Sequence, residues 1–432
     1  MQQDEGGNDG MMLNAAFGSI DITPPIGLPM DGYIARKGVA DGVLDQLQAR
    51  CLSIEMSEQL VLIIALEVLA VRQSFTHSLR KLISAELGCP PHNIMIAATH
   101  THSGPKGFQA FDSACEEYID ETSHKILRLV KDTRERLEPV SISMTFNDVI
   151  GISASRIQPD VEIDRRLSVA KFTHLGTGEL LGVLTNFPCH PTVLGFSNLR
   201  YSGDFFGQAS RTVENEIEVP CVLTNGAEGD ISTRFTRNSQ AYSEVVRLGN
   251  QLGCEILKAL SRSPDIHWDK PSLRVGSRKV SLPIRHLPSV EEAREELKWA
   301  EERLREAQEA GSPASELRQH ITRVEGTQLQ VMLADTFAGK KEELVEIMGL
   351  RIGPFRMVGV PGEAFSKLTL SLRQREESND WFIVGLANDC RNYFADSAAY
   401  DGKSYEALRS PYTPEVLNVL EEACLESLQQ IR

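Results

Sequence analysis

The sequence predicts a mixed α/β (α+β) fold, in which helices flank a large mixed β-sheet core. Short apolar runs alternate along the chain with segments in which apolar residues recur every three and four positions. Hydrophobic residues make up 41% and charged residues 24% of the chain, which is ordinary for a globular protein. The 432 residues can bury a large core, so we expect one compact soluble body.

The strand candidates are apolar runs bounded by glycine, proline or polar residues. The most apolar run, 60–71, contains Glu67 and is shorter than the roughly 18 to 20 apolar residues that span a membrane. We therefore expect a buried strand there and no transmembrane segment. The candidates are 51–56, 60–71, 94–100, 168–175, 180–187, 220–225, 273–285, 350–360 and 381–387.

The helix candidates are segments with apolar residues on one face. They are 72–87, 114–137, 207–217, 243–260, 363–375 and 413–431.

Segment 290–335 has a different pattern, because its apolar residues occupy the a and d positions of a seven-residue (heptad) repeat on both sides of Gly311-Ser312-Pro313. This spacing predicts an antiparallel helical hairpin that projects from the core. Its charged outer faces indicate either solvated surface or a contact through which the protein forms homo-oligomers. We expect a flexible tail at 1–12 and a single domain at 13–432 that includes the hairpin.

Charge and cysteine usage exclude several classes of protein. A formal net charge of −15 disfavours nucleic-acid partners, which bind through excess Lys and Arg. Residues 1–10 are polar and acidic rather than a secretory signal, so we expect a cytoplasmic protein. The eight cysteines form no C-x-x-C pair, and we expect reduced core thiols rather than disulfides or a cysteine-based zinc site.

The strongest local signal is the segment THTHSGP (99–105), which follows the apolar run IMIAA. In an extended chain, residues i and i+2 point to the same face, so His100 and His102 should project together from the end of a strand. This pattern favours a metal or catalytic site over two structural histidines.

Two further candidates follow apolar runs. His190 ends the run LLGVLTNFPCHP, where it is either a ligand or a capping or core residue. Glu363 follows a strand that stops at Pro361-Gly362 and opens a predicted helix. A glutamate in a first helical turn is also favoured by the helix dipole, so Glu363 could have this structural role alone.

The turn NGAEGDIS (225–232) offers backbone N–H donors beside the hydroxyl of Ser232. It could be a nucleophile turn or an oxyanion cradle. It lacks the G-x-S-x-G arrangement, which makes a Ser-His-Asp triad a weak interpretation.

Together these segments resemble the catalytic domain of the neutral (alkaline, non-lysosomal) ceramidases, and they occur in that family's order. The resemblance covers roughly residues 15–410 and rests on the order and spacing of the motifs. The matching segments are GSIDITPPIGLPMDGY (18–33), ADGVLDQLQAR (40–50), ATHTHSGPKG (98–107), SASR (153–156), NFPCHPTVL (186–194), NGAEGDIS (225–232), VPGE (360–363) and NDCRNYFADSAAYDGKSYEA (388–407).

The resemblance implies a zinc site whose ligands are His100, His190, Glu363 and Tyr393. Such a set of nitrogen and oxygen donors suits hydrolytic zinc. It implies a zinc-dependent amidohydrolase that cleaves a small-molecule or lipid-like N-acyl compound by metal-activated water.

The resemblance also assigns the catalytic groups. His102, Arg156 and Tyr405 would surround the carbonyl oxygen of the scissile amide, with His102 as the first candidate to protonate the leaving amine. Ser232 matches a serine in the family's site, and it is either the nucleophile or a hydrogen-bond partner of the substrate.

Three positions depart from the family's pattern: Thr233 replaces a proline, IQPD (157–160) lacks a Ser-Pro, and Lys106 replaces a glycine. We also expect no C-terminal β-sandwich module. Because the altered loops should line the pocket, a zinc esterase or a deacylase of a small polar compound is a second hypothesis. A non-catalytic binding or scaffold protein, with the hairpin as its partner surface, is a third.

Overall fold

The computed structural model describes residues 12–157, 161–268, 272–375 and 381–429. The predicted tail 1–12, apart from Met12, lies outside the described residues, as do residues 158–160 of the loop after Arg156.

The described strands are mostly buried, as their apolar sequences require. In chain order they are β1 (Asn14–Asp21), β2 (Gly42–Val43), β3 (Gln48–Met56), β4 (Gln59–Leu66), β5 (Ile94–Ala98), β6 (Glu138–Asp148), β7 (Ala154–Ser155), β8 (Arg166–His174), β9 (Leu180–Phe187), β10 (Arg200–Tyr201), β11 (Cys221–Asn225), β12 (Ile231–Ser232), β13 (Ile266–Trp268), β14 (Leu273–Pro283), β15 (Glu342–Ile352), β16 (Phe355–Gly359), β17 (Glu363–Ala364), β18 (Trp381–Val384) and β19 (Tyr393–Phe394).

The described α-helices lie outside the sheets. They are α1 (Gln73–Leu87), α2 (Glu116–Glu135), α3 (Asp204–Ile217), α4 (Tyr242–Ser261), α5 (Val290–Glu309), α6 (Ala314–Phe337), α7 (Lys367–Arg375), α8 (Ser397–Asp401), α9 (Tyr405–Arg409) and α10 (Val416–Gln429). None of the helices within the described ranges has a stretch long and apolar enough to cross a membrane.

The largest sheet has the strand order β11-β9-β8-β6-β1-β3-β4-β5, and β13 pairs with β6. The two pairs at the ends of this order, β11–β9 and β4–β5, are parallel. The five pairs that lie between them in the order, from β9–β8 to β3–β4, are antiparallel. This arrangement confirms the predicted large mixed sheet.

A second sheet, of order β14-β15-β16-β18, packs face to face with the first. Apolar side chains of both sheets form one buried cluster, for example Ile63 and Phe172 with Leu350 and Phe382. Helix α2 covers the opposite face of the large sheet at β1 and β3, and α10 covers the second sheet at β14 and β15. The core of the structure therefore consists of two packed sheets with helices on their outer faces.

Several predicted boundaries were wrong. Residues 350–360 are not one strand, because Gly353 adopts φ 57° and turns the chain between β15 and β16. The run 60–71 leaves the sheet after Leu66, although residues 67–71 stay buried. Strands β1 and β6 were not predicted. β6 carries an alternating pattern, since Val140, Ile142 and Met144 point inward.

The helical hairpin is confirmed as α5 and α6. Ala293, Ala300 and Ala307, which are spaced seven residues apart, are its buried positions on α5. Ser289 caps α5 in a reciprocal box with Glu292. The proposed oligomer contact on this hairpin stays a prediction.

The structure also shows the surroundings of Glu67 and of the cysteines. Glu67, the acidic residue of the most apolar run, is buried against Arg50 at 2.5 Å, so its charge is paired. All eight cysteines lie in described segments and are free, and six of them are buried.

Candidate active site

The curl of the large sheet positions the site. Its edge strands β5 and β11 lie at opposite ends of the strand order, yet they contact each other. The side-chain amide of Asn225 connects the two ends, because its Nδ2 donates to the carbonyl oxygens of Thr99 (3.1 Å) and Cys189 (3.0 Å). The segments that follow β5 and β9 therefore meet, and each carries a histidine that the sequence singled out.

His100 lies beyond the end of β5, which stops at Ala98, and it adopts φ 75°. The expectation of an extended chain through His100 and His102 was therefore wrong. The His100 N–H donates to the carbonyl of Val68 (3.0 Å), which holds the turn. The two imidazoles still meet, with ring centroids 4.9 Å apart, because the turn rather than the strand directs them.

The ring orientation of both buried histidines is fixed by backbone carbonyls. His100 Nδ1 lies 2.7 Å from the carbonyl oxygen of Leu69, and His190 Nδ1 lies 2.9 Å from that of Glu228. Because a carbonyl only accepts, Nδ1 carries a proton in each ring, and in the neutral form of the ring Nε2 then has the lone pair. A histidine that binds metal through Nε2 has this arrangement.

Glu363 and Tyr393 reach the histidines from a separate strand pair. They are directly opposite each other in the parallel pair β17–β19. Helix α7 begins only at Lys367, so the prediction that Glu363 opens a helix was wrong, and the dipole explanation does not apply. Glu363 Oε2 lies 3.0 Å from His190 Nε2 and 3.5 Å from His100 Nε2, and Tyr393 OH lies 3.5 Å from His190 Nε2.

These separations fit a small metal ion. Ligand atoms about 2.0–2.1 Å from a tetrahedral zinc ion are roughly 3.3 Å from one another. The three separations given above, from Glu363 Oε2 to His190 Nε2 and His100 Nε2 and from Tyr393 OH to His190 Nε2, are 3.0–3.5 Å and close to this value. His102 Nε2 also lies 3.4 Å from His100 Nε2, so a third imidazole faces the same space.

The electrostatics favour neutral imidazoles beside an ionised carboxylate. Burial, then the positive charge of Arg156, lowers the pKa of His190 to about 4. Burial, then His100 and His190, lowers the pKa of His102 well below its ordinary value. Burial would raise the pKa of Glu363, but His100 and His190 in their protonated forms hold it well below the usual range, and a cation in place of those protons would act in the same direction. Lone pairs and negative charge are therefore available to a cation near neutral pH.

Tyr393 is a different kind of donor. Burial, then the charge of Glu363, raises its pKa well above 10, so the phenol stays protonated unless a cation offsets that charge.

Glu228 is a further acidic group of this cluster, and the sequence analysis did not single it out. It is fully buried, and neither carboxylate oxygen has a hydrogen-bond partner among the described residues. Its carboxylate lies in one group with the His100 imidazole and the Glu363 carboxylate, whose ligand atoms are all within 4.8 Å of one another. Burial, followed by the charge of Glu363, raises the pKa of Glu228. A glutamate in a glycine-rich turn carries no sequence signal that separates it from a solvated one.

Arg156 lies beside the histidines with its charge paired. Its Nη1 lies 2.8 Å from His190 Nε2 and 3.3 Å from Tyr393 OH, and its Nε lies 3.1 Å from Glu406 Oε1. Tyr405 opens α9, and its ring centroid lies 6.3 Å from that of Tyr393.

Two backbone pairings fix the position of Ser232. It forms a parallel β-bridge with His190, and it lies opposite Ala154 in the antiparallel strand pair β7–β12. Its Oγ accepts a hydrogen bond from the N–H of Arg234 at 3.2 Å.

The structure brings all eight residues singled out from the sequence into one region. A cavity of about 270 Å³ opens beside the cluster of possible metal ligands. Most of its lining residues have polar side chains, and three of them are arginines. The lining residues are Gly32, Tyr33, His102, Arg156, Thr192, Ser232, Arg234, Arg237, Gln240, Tyr393 and Tyr405.

A family model described as neutral/alkaline non-lysosomal ceramidase, N-terminal, matches residues 14–235. Neutral ceramidase 2 of Arabidopsis thaliana is 25% identical over 241 residues, which are 50% of this chain and 31% of that protein. The neutral ceramidase of Pseudomonas aeruginosa is 29% identical over 144 residues, 29% of this chain and 21% of that protein. The chain thus spans about a third or less of the length of these two curated relatives.

Solved structures agree in fold. The crystal structure of neutral ceramidase from Pseudomonas aeruginosa superposes with a TM-score of 0.73 at 20% identity, covering 97% of this chain and 74% of that one. A ceramidase complexed with C2 gives the same TM-score at 18% identity and covers 97% and 76% of the two chains.

Proposed function

Since the chain belongs to the neutral/alkaline non-lysosomal ceramidase family, we propose that it is a zinc-dependent hydrolase that cleaves the amide bond of an N-acyl compound. One observation carries this proposal. The Nε2 atom of His100 lies 3.5 Å from Glu363 Oε2, and that of His190 lies 3.0 Å from it. The Nδ1 atom of each ring is held by a backbone carbonyl. This presentation of two imidazoles to a buried carboxylate supports a metal site, because the ring orientations are already set.

We assign the zinc to His100, His190, Glu363 and Tyr393, a set of nitrogen and oxygen donors of the kind that zinc accepts. When bound there, zinc supplies Lewis acidity that polarises a carbonyl and lowers the pKa of water. Its positive charge would also favour the ionised form of Tyr393.

The chain's own residues position the substrate and move the proton. The partly buried, charged Arg156, paired with Glu406, and the hydroxyl of Tyr405 line the cavity. There they can donate to the oxygen that becomes negative as the amide carbon turns tetrahedral. As the C–O bond to water forms and the C–N bond breaks, one proton must pass from water to the leaving amine. His102, neutral near pH 7, can accept this proton and then donate it.

Water is the better candidate for the nucleophile than Ser232. A serine needs an adjacent base, and in the described part of the chain no imidazole nitrogen lies within hydrogen-bond distance of Ser232 Oγ. Ser232 then supports the turn or positions the substrate.

Ser232→Ala should therefore keep measurable activity. Mass spectrometry of wild-type enzyme quenched during turnover should find no acyl group on the peptide that contains Ser232. A stoichiometric adduct there, together with an inactive alanine variant, would make the serine the nucleophile.

The cavity also favours a second candidate, a deacylase of a small polar compound. Its volume of about 270 Å³ lies just below the roughly 300–1,000 Å³ typical of ligand pockets. Arg234, Arg237 and Thr192 give its wall a polar character that suits a polar amine better than a second alkyl chain.

A panel of matched amides and esters with acyl chains of different length tests the proposed activity. Zinc-loaded protein should release free acid from the amides, whereas preferential cleavage of the esters would support the esterase alternative. A protein that cleaves none of them would support the binding or scaffold alternative.

A further inference from the structure

Two arginines of the cavity have no acidic partner within 4.0 Å in the described part of the chain. The chain has 60 acidic and 45 basic residues, and Arg156 pairs with Glu406. Arg234 and Arg237 also line the cavity, but among the described residues no carboxylate oxygen lies within 4.0 Å of either guanidinium. Excess positive charge therefore faces the space in which a substrate binds.

Backbone carbonyls hold both guanidinium groups in place. Arg234 Nη1 donates to the carbonyl oxygen of Arg156 at 3.2 Å, and Arg237 Nη1 donates to that of Thr192 at 2.5 Å. A guanidinium has five N–H donors, so each group keeps donors for a ligand. These anchors reduce the conformational entropy that the side chains lose when they bind an anion.

The positive charges also act on one another. Burial, then the charge of Arg156, lowers the pKa of Arg234; Glu406 opposes this change, and Arg237 adds to it. Repulsion between like charges is relieved when an anion lies between them. A planar, bidentate anion such as a carboxylate matches the guanidinium geometry best.

We propose that this cavity binds a carboxylate carried by the amine part of the substrate, so that the enzyme acts on N-acyl amino acids rather than on N-acyl amines without charge. The inference rests on the proposed amide hydrolysis. The carboxylate belongs to the amine part because an acyl chain is apolar and gains nothing from guanidinium groups. Ile34 and Phe235, both exposed, directly follow the lining residues Tyr33 and Arg234 and offer apolar surface for that chain.

The test compares N-decanoylglycine with N-decanoylethanolamine, which share an acyl chain and differ in the charge of the amine part. Hydrolysis of the first consumes water and yields decanoate and glycine. Because a hydrogen bond to a charged group contributes more than a neutral one, kcat/KM of the zinc-loaded enzyme should be about 10- to 100-fold higher for the glycine compound.

The double variant Arg234→Gln/Arg237→Gln should reduce this preference to about threefold or less, because kcat/KM should fall far more for the glycine compound than for the ethanolamine compound. Arg128→Gln/Arg262→Gln removes the same charge from two exposed positions outside the cavity and should keep the preference. Equal cleavage of both compounds by the wild type, or an unchanged preference in the first variant, would overturn the carboxylate site and leave the amide hydrolysis standing.

If neither compound is cleaved, the proposed function fails, and calorimetric titration of the same zinc-loaded protein decides the inference. N-decanoylglycine should then bind at least about tenfold more tightly than N-decanoylethanolamine, and the double variant should lose that difference. Equal affinities would overturn the carboxylate site as well.

Discussion

His190→Ala should lose both its zinc and its activity. The imidazole is fully buried, its Nδ1 is held by the Glu228 carbonyl, and its Nε2 is one of the four assigned donors. Metal catalysis contributes several kcal/mol, so kcat/KM should fall by at least about 10³-fold. Zinc per chain, measured by elemental analysis on folded protein, should fall from one towards zero.

His77 and His124 provide matched controls for this change. Both are exposed on helices, α1 and α2, and their alanine variants should keep zinc and activity. Full zinc occupancy in folded His190→Ala would show that the assigned ligand set is wrong.

Tyr405→Phe should keep zinc yet lower kcat by about 10²-fold, because a hydroxyl aimed at a developing oxyanion contributes on this scale. The Tyr405 hydroxyl now accepts a hydrogen bond from Arg409 Nη1 at 3.1 Å, and the half-exposed ring lines the cavity. The phenylalanine keeps the ring and removes only the hydrogen bond. Steady-state kinetics together with zinc analysis measure both effects.

Tyr118→Phe is the control for loss of a tyrosine hydroxyl elsewhere. The Tyr118 hydroxyl donates to the carbonyl of Ile22 in the core, so its loss should affect stability more than kcat. An unchanged kcat in Tyr405→Phe would leave Tyr405 as a packing residue.

Local patterns predicted the elements that depend on local sequence. The seven-residue spacing of Ala293, Ala300 and Ala307 specifies the helical hairpin, because that spacing places the three side chains on one face. Apolar runs ending in histidine likewise located His100 and His190 at the ends of β5 and β9.

The relation between these elements depends on contacts that are distant in sequence. The curl that brings β11 to β5 involves the Asn225 amide and the Thr99 carbonyl, 126 residues apart. Glu363 lies opposite Tyr393 because β17 pairs with β19, and each of these strands has only two residues. Two residues are too few to show an alternation of apolar and polar positions in the sequence. Tyr393, Arg156 and Tyr405 were assigned only through the family resemblance, and Glu228 was missed.

Other predictions concern properties that a single chain's fold does not determine. The cytoplasmic location and the oligomer contact on the hairpin stay predictions. The zinc ion and the roles of the eight site residues are proposals that rest on the family resemblance and are supported by the geometry and donor chemistry of the site.

Removal and return of the metal test the central claim most directly. Zinc content and the rate of N-decanoylglycine and N-decanoylethanolamine hydrolysis would be measured on the same samples as purified, after chelation, and after graded addition of zinc. We expect the rate to vanish with the metal and to return in proportion to bound zinc, with a plateau at one ion per chain. Full amide hydrolysis by metal-free protein, or no hydrolysis of either amide at one zinc per chain, would contradict a zinc-dependent amidase.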